Sequence, residues 1–433
     1  MFTENFSSLH ISRFELRLRA RESVSLPPFL GSTVRGAFGH SLKHAVCIMP
    51  HRNCERCTAA DRCLYPYLFE TPVPPGLTQL RGQERAPHPF ILSPPAVGAP
   101  PAKRAVSPAT AQPGAMGGDW SARNRGSSAP AAPVLREAQR IDTASREALA
   151  HEGLKSGAGV SITTFNTPRE NVPASESRYR QTAPARDGFR NGWNGGDASV
   201  DRRLNLDPGD EVTFGLTLMG RAVEYLPYLI YAVTEMSRRG LGVDRARFEL
   251  TEALVIGPDG GKQRIYSGDC DRVNTPADSA TSLSALIQAR VDRLRSDSAL
   301  NSESLRLRFA TPTRIRVDGD LQSGMSFGLL VRNLLRRISL LCAVHGQAPL
   351  DLDYRGLIER AALVETASSR LRWCDWERYS NRQQTKMKLG GFVGEIEYDG
   401  EISREFLSLM VAGEILHVGA GTSFGLGRYE ILA

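Results

Sequence analysis

"HVGAGTSFGLGRYEILA" runs from His417 to Ala433 and places Gly419, Gly421, Gly425 and Gly427 within nine residues. It follows "SREFLSLMVAGEIL" (403–416), an amphipathic run that reads as a helix, and it leads into "GRYEIL", which reads as a strand. That order settles what kind of loop it is. A dinucleotide-binding glycine loop follows a strand and opens a helix, so that the pyrophosphate meets the helix N-terminus. No Gly-Lys-Ser/Thr is present, so a Walker loop is excluded as well. A helix, a glycine turn and a last strand instead close a β-α-β-β-α-β unit. The glycines then serve either a tight turn at positive φ or a bare backbone that a phosphate can approach.

Working outward, "LRLRFATPTRIRV" (305–317) reads as a strand and "SFGLLVRNLLRRISLLCAVHG" (326–346) as a long helix. "RLRWCDWERYS" (370–380) and "GGFVGEIEYDG" (390–400) read as strands. The first half repeats this order. "ISRFELRLRA" (11–20) alternates apolar and polar residues as a strand does. Ser32 or Thr33 is placed to cap a helix running to about Val46, and "HPFILSPP" (88–95) is a short strand. "DEVTFGLTLMGRA" (210–222), "VEYLPYLIYAVTEMSRRG" (223–240) and "LGVDRARFELTEALVI" (241–256) supply strand, helix and strand. The expected fold is α+β: two tandem ferredoxin-like (RRM-like, βαββαβ) domains, 1–268 and 304–433, joined by a helical linker over 269–303.

Residues about 96–205 break the pattern. They are rich in Ala, Pro, Gly, Ser and Arg and lack sustained periodicity, apart from a weak helical run at 135–153. They read as a largely disordered insertion in the first domain.

The whole chain has 433 residues, which is enough for two or three domains. No run of 18 apolar residues appears, and no basic n-region precedes an apolar h-region, so a cytoplasmic protein without a membrane span is expected. The formal charge of +7 is dominated by Arg, which suits bidentate phosphate contacts and stacking on bases without proving either.

Three groups of residues are suited to chemistry. At about 100° per residue, Val34, Phe38, Leu42 and Ala45 share one face of the first helix, and His40, His44 and Lys43 lie on the other. Histidine exchanges protons near neutrality, and a lysine beside it can stabilise an anionic transition state. The bland alternative is a solvated polar face. Cys47, Cys54, Cys57 and Cys63 have the spacing C-x6-C-x2-C-x5-C, which can close a tetrahedral thiolate site. A structural zinc is the expected occupant, with an iron–sulfur cluster or unligated thiols as alternatives. "WERYSNRQQTKMKLGG" (376–391) interleaves aromatic residues with Arg378, Arg382, Lys386 and Lys388, a pattern that suits RNA contact or a charged sheet edge.

"HVGAGTSFGLGRYEI", "RYSNRQQTKMKLGGFVGEIEYDG" and "LPPFLGSTVRGAFGHSL" together resemble the CRISPR-associated RAMP superfamily. More narrowly, they are similar to its pre-crRNA-processing endoribonuclease, the Cas six family. The four-cysteine block with "CLYPYLFE" resembles a subgroup of that family. The likeness covers roughly 1–95 and 206–433.

The resemblance implies tandem ferredoxin-like domains that hold a CRISPR repeat RNA and process pre-crRNA into crRNA. It implies cleavage without a catalytic cofactor or metal, by attack of a 2′-hydroxyl on the adjacent phosphate. The products would be a 2′,3′-cyclic phosphate and a 5′-hydroxyl. Other Cas effector subunits are expected partners. A histidine on the first helix is the implied acid–base group, so His40 and His44 are the candidates, with Lys43 for charge and His417 as the alternative. Arg35, Arg378, Arg382, Lys386, Lys388 and the glycines at 419, 421, 425 and 427 are the implied RNA contacts. Two other readings stand beside this one: a non-catalytic RAMP-type RNA-binding subunit of an effector complex, and a zinc-dependent RNA-binding module.

Overall fold

The computed structural model of the chain describes residues 2–49, 51, 53–77, 80, 85–95, 203–270, 272–274, 276, 279–296, 303–375, 377–380 and 385–432. The expected insertion lies outside these residues, except for its last three positions.

Strand β1 (His10–Ala20) has the alternation expected of a half-buried strand. Phe14, Leu16, Leu18 and Ala20 are buried, and Arg13, Glu15, Arg17 and Arg19 project from the opposite face. The chain continues through β2 (Val24–Leu26), α1 (Gly31–Val46), β3 (Phe90–Ser93), β4 (Leu204–Leu206), β5 (Glu211–Met219), α2 (Leu226–Arg239), β6 (Phe248–Ile256) and β7 (Lys262–Ser267). The main sheet has the order β3-β5-β1-β6-β7, with every neighbour antiparallel. Val34, Phe38 and Leu42 of α1 and Leu229, Ile230, Val233 and Met236 of α2 cover its apolar face.

Next come β8 (Thr281–Ser282), α3 (Leu283–Ser296), β9 (Ser304–Thr313), the β10–β11 hairpin (Arg316–Val317, Asp320–Leu321), α4 (Phe327–His345) and α5 (Tyr354–Ala361). Strand β12 (Glu365–Cys374), the β13–β14 hairpin (Glu377–Ser380, Thr385–Lys388), β15 (Gly391–Asp399), α6 (Arg404–Leu416) and β16 (Tyr429–Leu432) complete the chain. The second sheet is β12-β15-β9-β16. Leaving out β2, β4, β7 and β8, both sheets are built from strand, helix, strand, strand, helix, strand. In both, the strands lie second–third–first–fourth, so one topology occurs twice.

Several expectations are corrected. Neither Ser32 nor Thr33 caps α1: the helix starts at Gly31, and its N-cap position is Leu30, without a side-chain cap. The insertion ends before 205, because Leu204–Leu206 pairs with Val24–Leu26. "RLRWCDWERYS" is divided between β12 and β13. Strand β7 and helix α5 lie in stretches with little periodic signal. The start of the chain is shared between the halves: β8 pairs with His10 and Ile11, while Phe6, Leu9 and Ile11 join the core beneath the second sheet.

The glycine loop does connect α6 to β16, as its position in the sequence requires. Its N–H groups tie it down: Val418 N–H donates to Gly427 O at 2.9 Å, and Gly427 N–H to Pro312 O at 3.1 Å. Gly427 has φ +71, and a Cβ there would lie 1.8 Å from Val418 O. Gly427→Ala should therefore lower stability by at least about 2 kcal/mol, read as a drop in thermal midpoint. A midpoint equal to that of the unaltered chain would contradict this account of the turn.

Candidate nucleic-acid interface and active site

Helix α1 divides the candidate residues between three surroundings. His40 and His44, one turn apart, are exposed, while Val34, Phe38 and Leu42 face the core. Ala45, expected on the apolar face, is half-buried. Lys43 is not a free cation beside the histidines. Its Nζ lies 4.8 Å from the centre of the Tyr65 ring, and its side chain lines a small cavity with the four knuckle cysteines. Burial works against its charge, but the nearby Cys54, Tyr65 and Glu70 together raise its pKa. The structure therefore corrects the assignment of Lys43 to transition-state charge: it belongs to the cysteine knuckle.

Arg35 is also occupied by protein. Its guanidinium lies 4.4 Å from the ring centre of Phe424 in the glycine loop, and 5.1 and 5.8 Å from Phe69 and Phe90. Such stacking contributes roughly 0.5–2 kcal/mol per favourable pair. Arg35 Nη2 also meets His88 Nε2 at 3.2 Å, and His88 Nδ1 meets Thr71 Oγ1 at 2.8 Å. The Thr71 hydroxyl donates to Tyr67 O at 3.1 Å, so it must accept from the histidine. His88 is therefore the Nδ1–H tautomer, and its Nε2 accepts from Arg35. Thr71 sits at φ +40, a rare conformation for a β-branched residue, stabilised by this network and by its N–H bond to Pro66 O at 2.6 Å. In place of a phosphate contact, Arg35 forms a clamp between the two units. His88, for which the sequence suggests no partner, is part of it.

His417 is likewise corrected. It is 3% exposed and has φ +59, and its Nδ1 meets Leu426 O at 3.2 Å. Burial, followed by Arg337 and Arg428, pushes its pKa down to about 3. It is a neutral structural ring with no approach for RNA. His345 ends α4, but its Nε2–H donates to Pro87 O at 2.7 Å rather than serving the helix carbonyls. The loop glycines face protein too. Gly425 and Gly427 are buried, and Gly419 and Gly421 half-buried. A Cβ on Gly425 would lie 2.5 Å from Leu92 O in β3. The loop's glycines therefore meet a packing need, and the expected phosphate approach is not required to explain them.

In the β13–β14 hairpin, Lys388 pairs in register with Glu377, Lys386 with Tyr379, and Arg378 with Met387. Arg382 lies outside the described residues. The four cysteines line one small cavity, yet among the described residues no three His, Cys, Asp or Glu side chains converge at ligating distance.

The open face of the first sheet along β1 and β5 is a poor RNA platform. Arg17 pairs with Glu15 at 2.8 Å and Glu252 at 2.7 Å, and Arg19 with Glu211 at 3.0 Å. On the second sheet, Arg308 pairs with Glu430 at 2.7 Å. Beside Arg13, Glu15, Arg17 and Arg19, the register places Thr217, Gly215, Thr213 and Glu211 on β5. These rows contain no ring on which a base could stack, unlike an RNA-binding sheet of the RRM type. Among the described residues, no helix is long and apolar enough to cross a membrane.

Residues 307–429, from β9 to the first residue of β16, match the family model of CRISPR-associated endoribonuclease Cas6. Over these residues the chain is similar to the Cas6 family. A second family model, described as an N-terminal domain, matches residues 9–111 and 196–278, skipping much of the insertion. An uncharacterized protein of Archaeoglobus fulgidus is 36% identical over 91 residues, which are 21% of this chain and 29% of that relative's length. Thermus thermophilus Cas6 (TTHB231) is similar across 98% of this chain and 99% of its own, at 14% identity and TM-score 0.41. A Cas6-related protein from Pyrococcus furiosus is similar over 98% of each chain, at 8% identity and TM-score 0.37.

Two buried histidines, His345 and His417, and the half-buried His88 imply a pH dependence. Burial is the leading cause that holds His88, His345 and His417 at about 3, 4 and 3, against roughly 6.5 when unfolded. Between those values the unfolded chain binds more protons, so stability is complete above about pH 6.5 and is lost as pH falls toward 4. Each histidine adds at most about 1.4 kcal/mol per pH unit. In urea unfolding, His345→Gln should flatten the fall in stability between pH 6.5 and 4.5. An unaltered slope would refute the buried neutral ring.

Proposed function

We propose that the chain is a CRISPR repeat-RNA endoribonuclease that cuts pre-crRNA into crRNA. The observation that carries this reading is the solvent-facing pair His40 and His44 on α1 of a chain whose residues 307–429 match the Cas6 family model. The repeated second–third–first–fourth strand order supports assigning both units as ferredoxin-like, in the RAMP manner.

In the proposed reaction, one histidine takes the proton from a ribose 2′-hydroxyl. Its oxygen attacks the adjacent phosphorus, the P–O5′ bond breaks, and an acid protonates the leaving oxygen. A 2′,3′-cyclic phosphate and a 5′-hydroxyl result, and no metal takes part in the step. His40 is assigned as the principal acid–base group and His44 as its neighbour. Since Lys43 and Arg35 have other partners, the charge that steadies the phosphorane comes from elsewhere on the RNA-binding surface.

His40 lies nine residues beyond Gly31, about 14 Å along the helix from the glycine loop. RNA held near α1 is steadied by Arg378, Arg382, Lys386 and Lys388, and other Cas subunits are the proposed protein partners.

Purified chain should cut its own repeat RNA in excess chelator and fail on RNA carrying a 2′-deoxy scissile nucleotide. His40→Ala should slow cleavage roughly 10²–10⁴-fold with little change in RNA affinity. Tight binding with no cut under any condition would replace this reading with a non-catalytic RAMP-type subunit. An unchanged rate in the His40 variant would move the role to His44.

A further inference from the structure

The knuckle between α1 and the Pro66–Glu70 helical turn has no part in the proposed reaction, yet it is closely built. Cys47, Cys54, Cys57 and Cys63 all line one cavity of about 20 Å³, together with Lys43 and Tyr65. That is room for about a single water-sized guest. The backbone fixes each cysteine in turn. Cys47 ends α1, with its N–H on Lys43 O at 3.0 Å. Cys57 N–H closes a turn onto Cys54 O at 3.2 Å. Ala60 N–H returns to Cys57 O, and Cys63 N–H to Ala60 O, each at 3.2 Å. None of the four is in a disulfide, and all are partly shielded from solvent.

Lys43 is the second observation. An ammonium held over Tyr65, in the lining of the same cavity, gains little from four neutral thiols. It gains much from thiolates, whose charge it offsets at short range.

We propose that Cys47, Cys54, Cys57 and Cys63 bind one thiophilic divalent cation, zinc, and that Lys43 is a positioning residue that partly neutralises the tetrathiolate. Binding balances as four thiols and one Zn²⁺ giving a Zn(Cys)₄ centre of charge −2 and four released protons. Lys43 leaves the local charge at −1. The sulfurs surround the cavity without converging on one point, so the ion's entry draws them inward and couples binding to ordering of the knuckle. Four thiolates leave no open position, so the ion is structural. It anchors the C-terminal end of α1, three residues beyond His44.

The proposal is independent of the RNA reading and is tested without RNA. Full-length chain is purified with zinc in the growth medium and no chelator, then assayed by elemental analysis and thiol titration. About one zinc per chain is expected, with four of the seven thiols protected until a chelator is added. Cys57→Ser should lose the metal. Lys43→Met should keep it but release it to a competing chelator about 10- to 100-fold more readily. Zinc well below one per chain with all seven thiols reactive would overturn the proposal. So would zinc retained equally by Cys57→Ser, or bound iron with visible absorbance in place of zinc.

Discussion

The two units meet where a carbonyl has to lie against a helix end. A Cβ on Gly31 would stand 1.8 Å from Phe424 O, so that oxygen approaches the first residue of α1 only because Gly31 has no side chain. The placement is favourable, since a carbonyl's negative end meets the positive end of the helix dipole, where no side chain caps the helix. Phe424 then stacks on Arg35 one turn further along, and Gly425 lies against Leu92 of β3. One residue of the second unit thus touches the helix of the first by its backbone and by its ring. Displacing the loop would release Arg35, and with it the hydrogen bond that places His88.

This contact also accounts for where the candidate chemistry lies. The buried His345 and His417 and the half-buried His88 are neutral and serve as donors or acceptors to fixed partners. The first-helix histidines that remain exposed are His40 and His44. Arg17, Arg19 and Arg308 on the sheet faces are matched by carboxylates across neighbouring strands. The same residue types have different roles according to their surroundings, and burial decides which.

Much of the fold was legible because it follows local periodicity. The alternation in β1 and the 34–38–42 stripe of α1 state their own buried faces. The helix–glycine–strand order at 403–432 correctly excluded a nucleotide loop. What was not legible depends on partners distant in sequence. Arg35 meets Phe424 across nearly the whole chain, and no local pattern distinguishes that clamp from a phosphate ligand. His417 looks available in "LHVGAG" because its burial comes from the fold around it, not from its neighbours. Lys43 was assigned to the histidine face from its helical angle alone. A long side chain can leave its own face, and here it reaches Tyr65 and Cys54 on the following segment.

The β2–β4 ribbon adds a consequence for how the chain can vary. Just beyond the insertion, the chain is fixed at once by Leu204–Leu206 on Val24–Leu26, and before it the chain leaves from β3 on the main sheet. Both attachment points belong to the first unit. Loop closure depends on length only logarithmically, with each doubling costing about 0.6 kcal/mol. Added length between these two points therefore adds little closure cost to the pairings that fix them. Selection on this fold can therefore act on the spacing between these points at small thermodynamic cost.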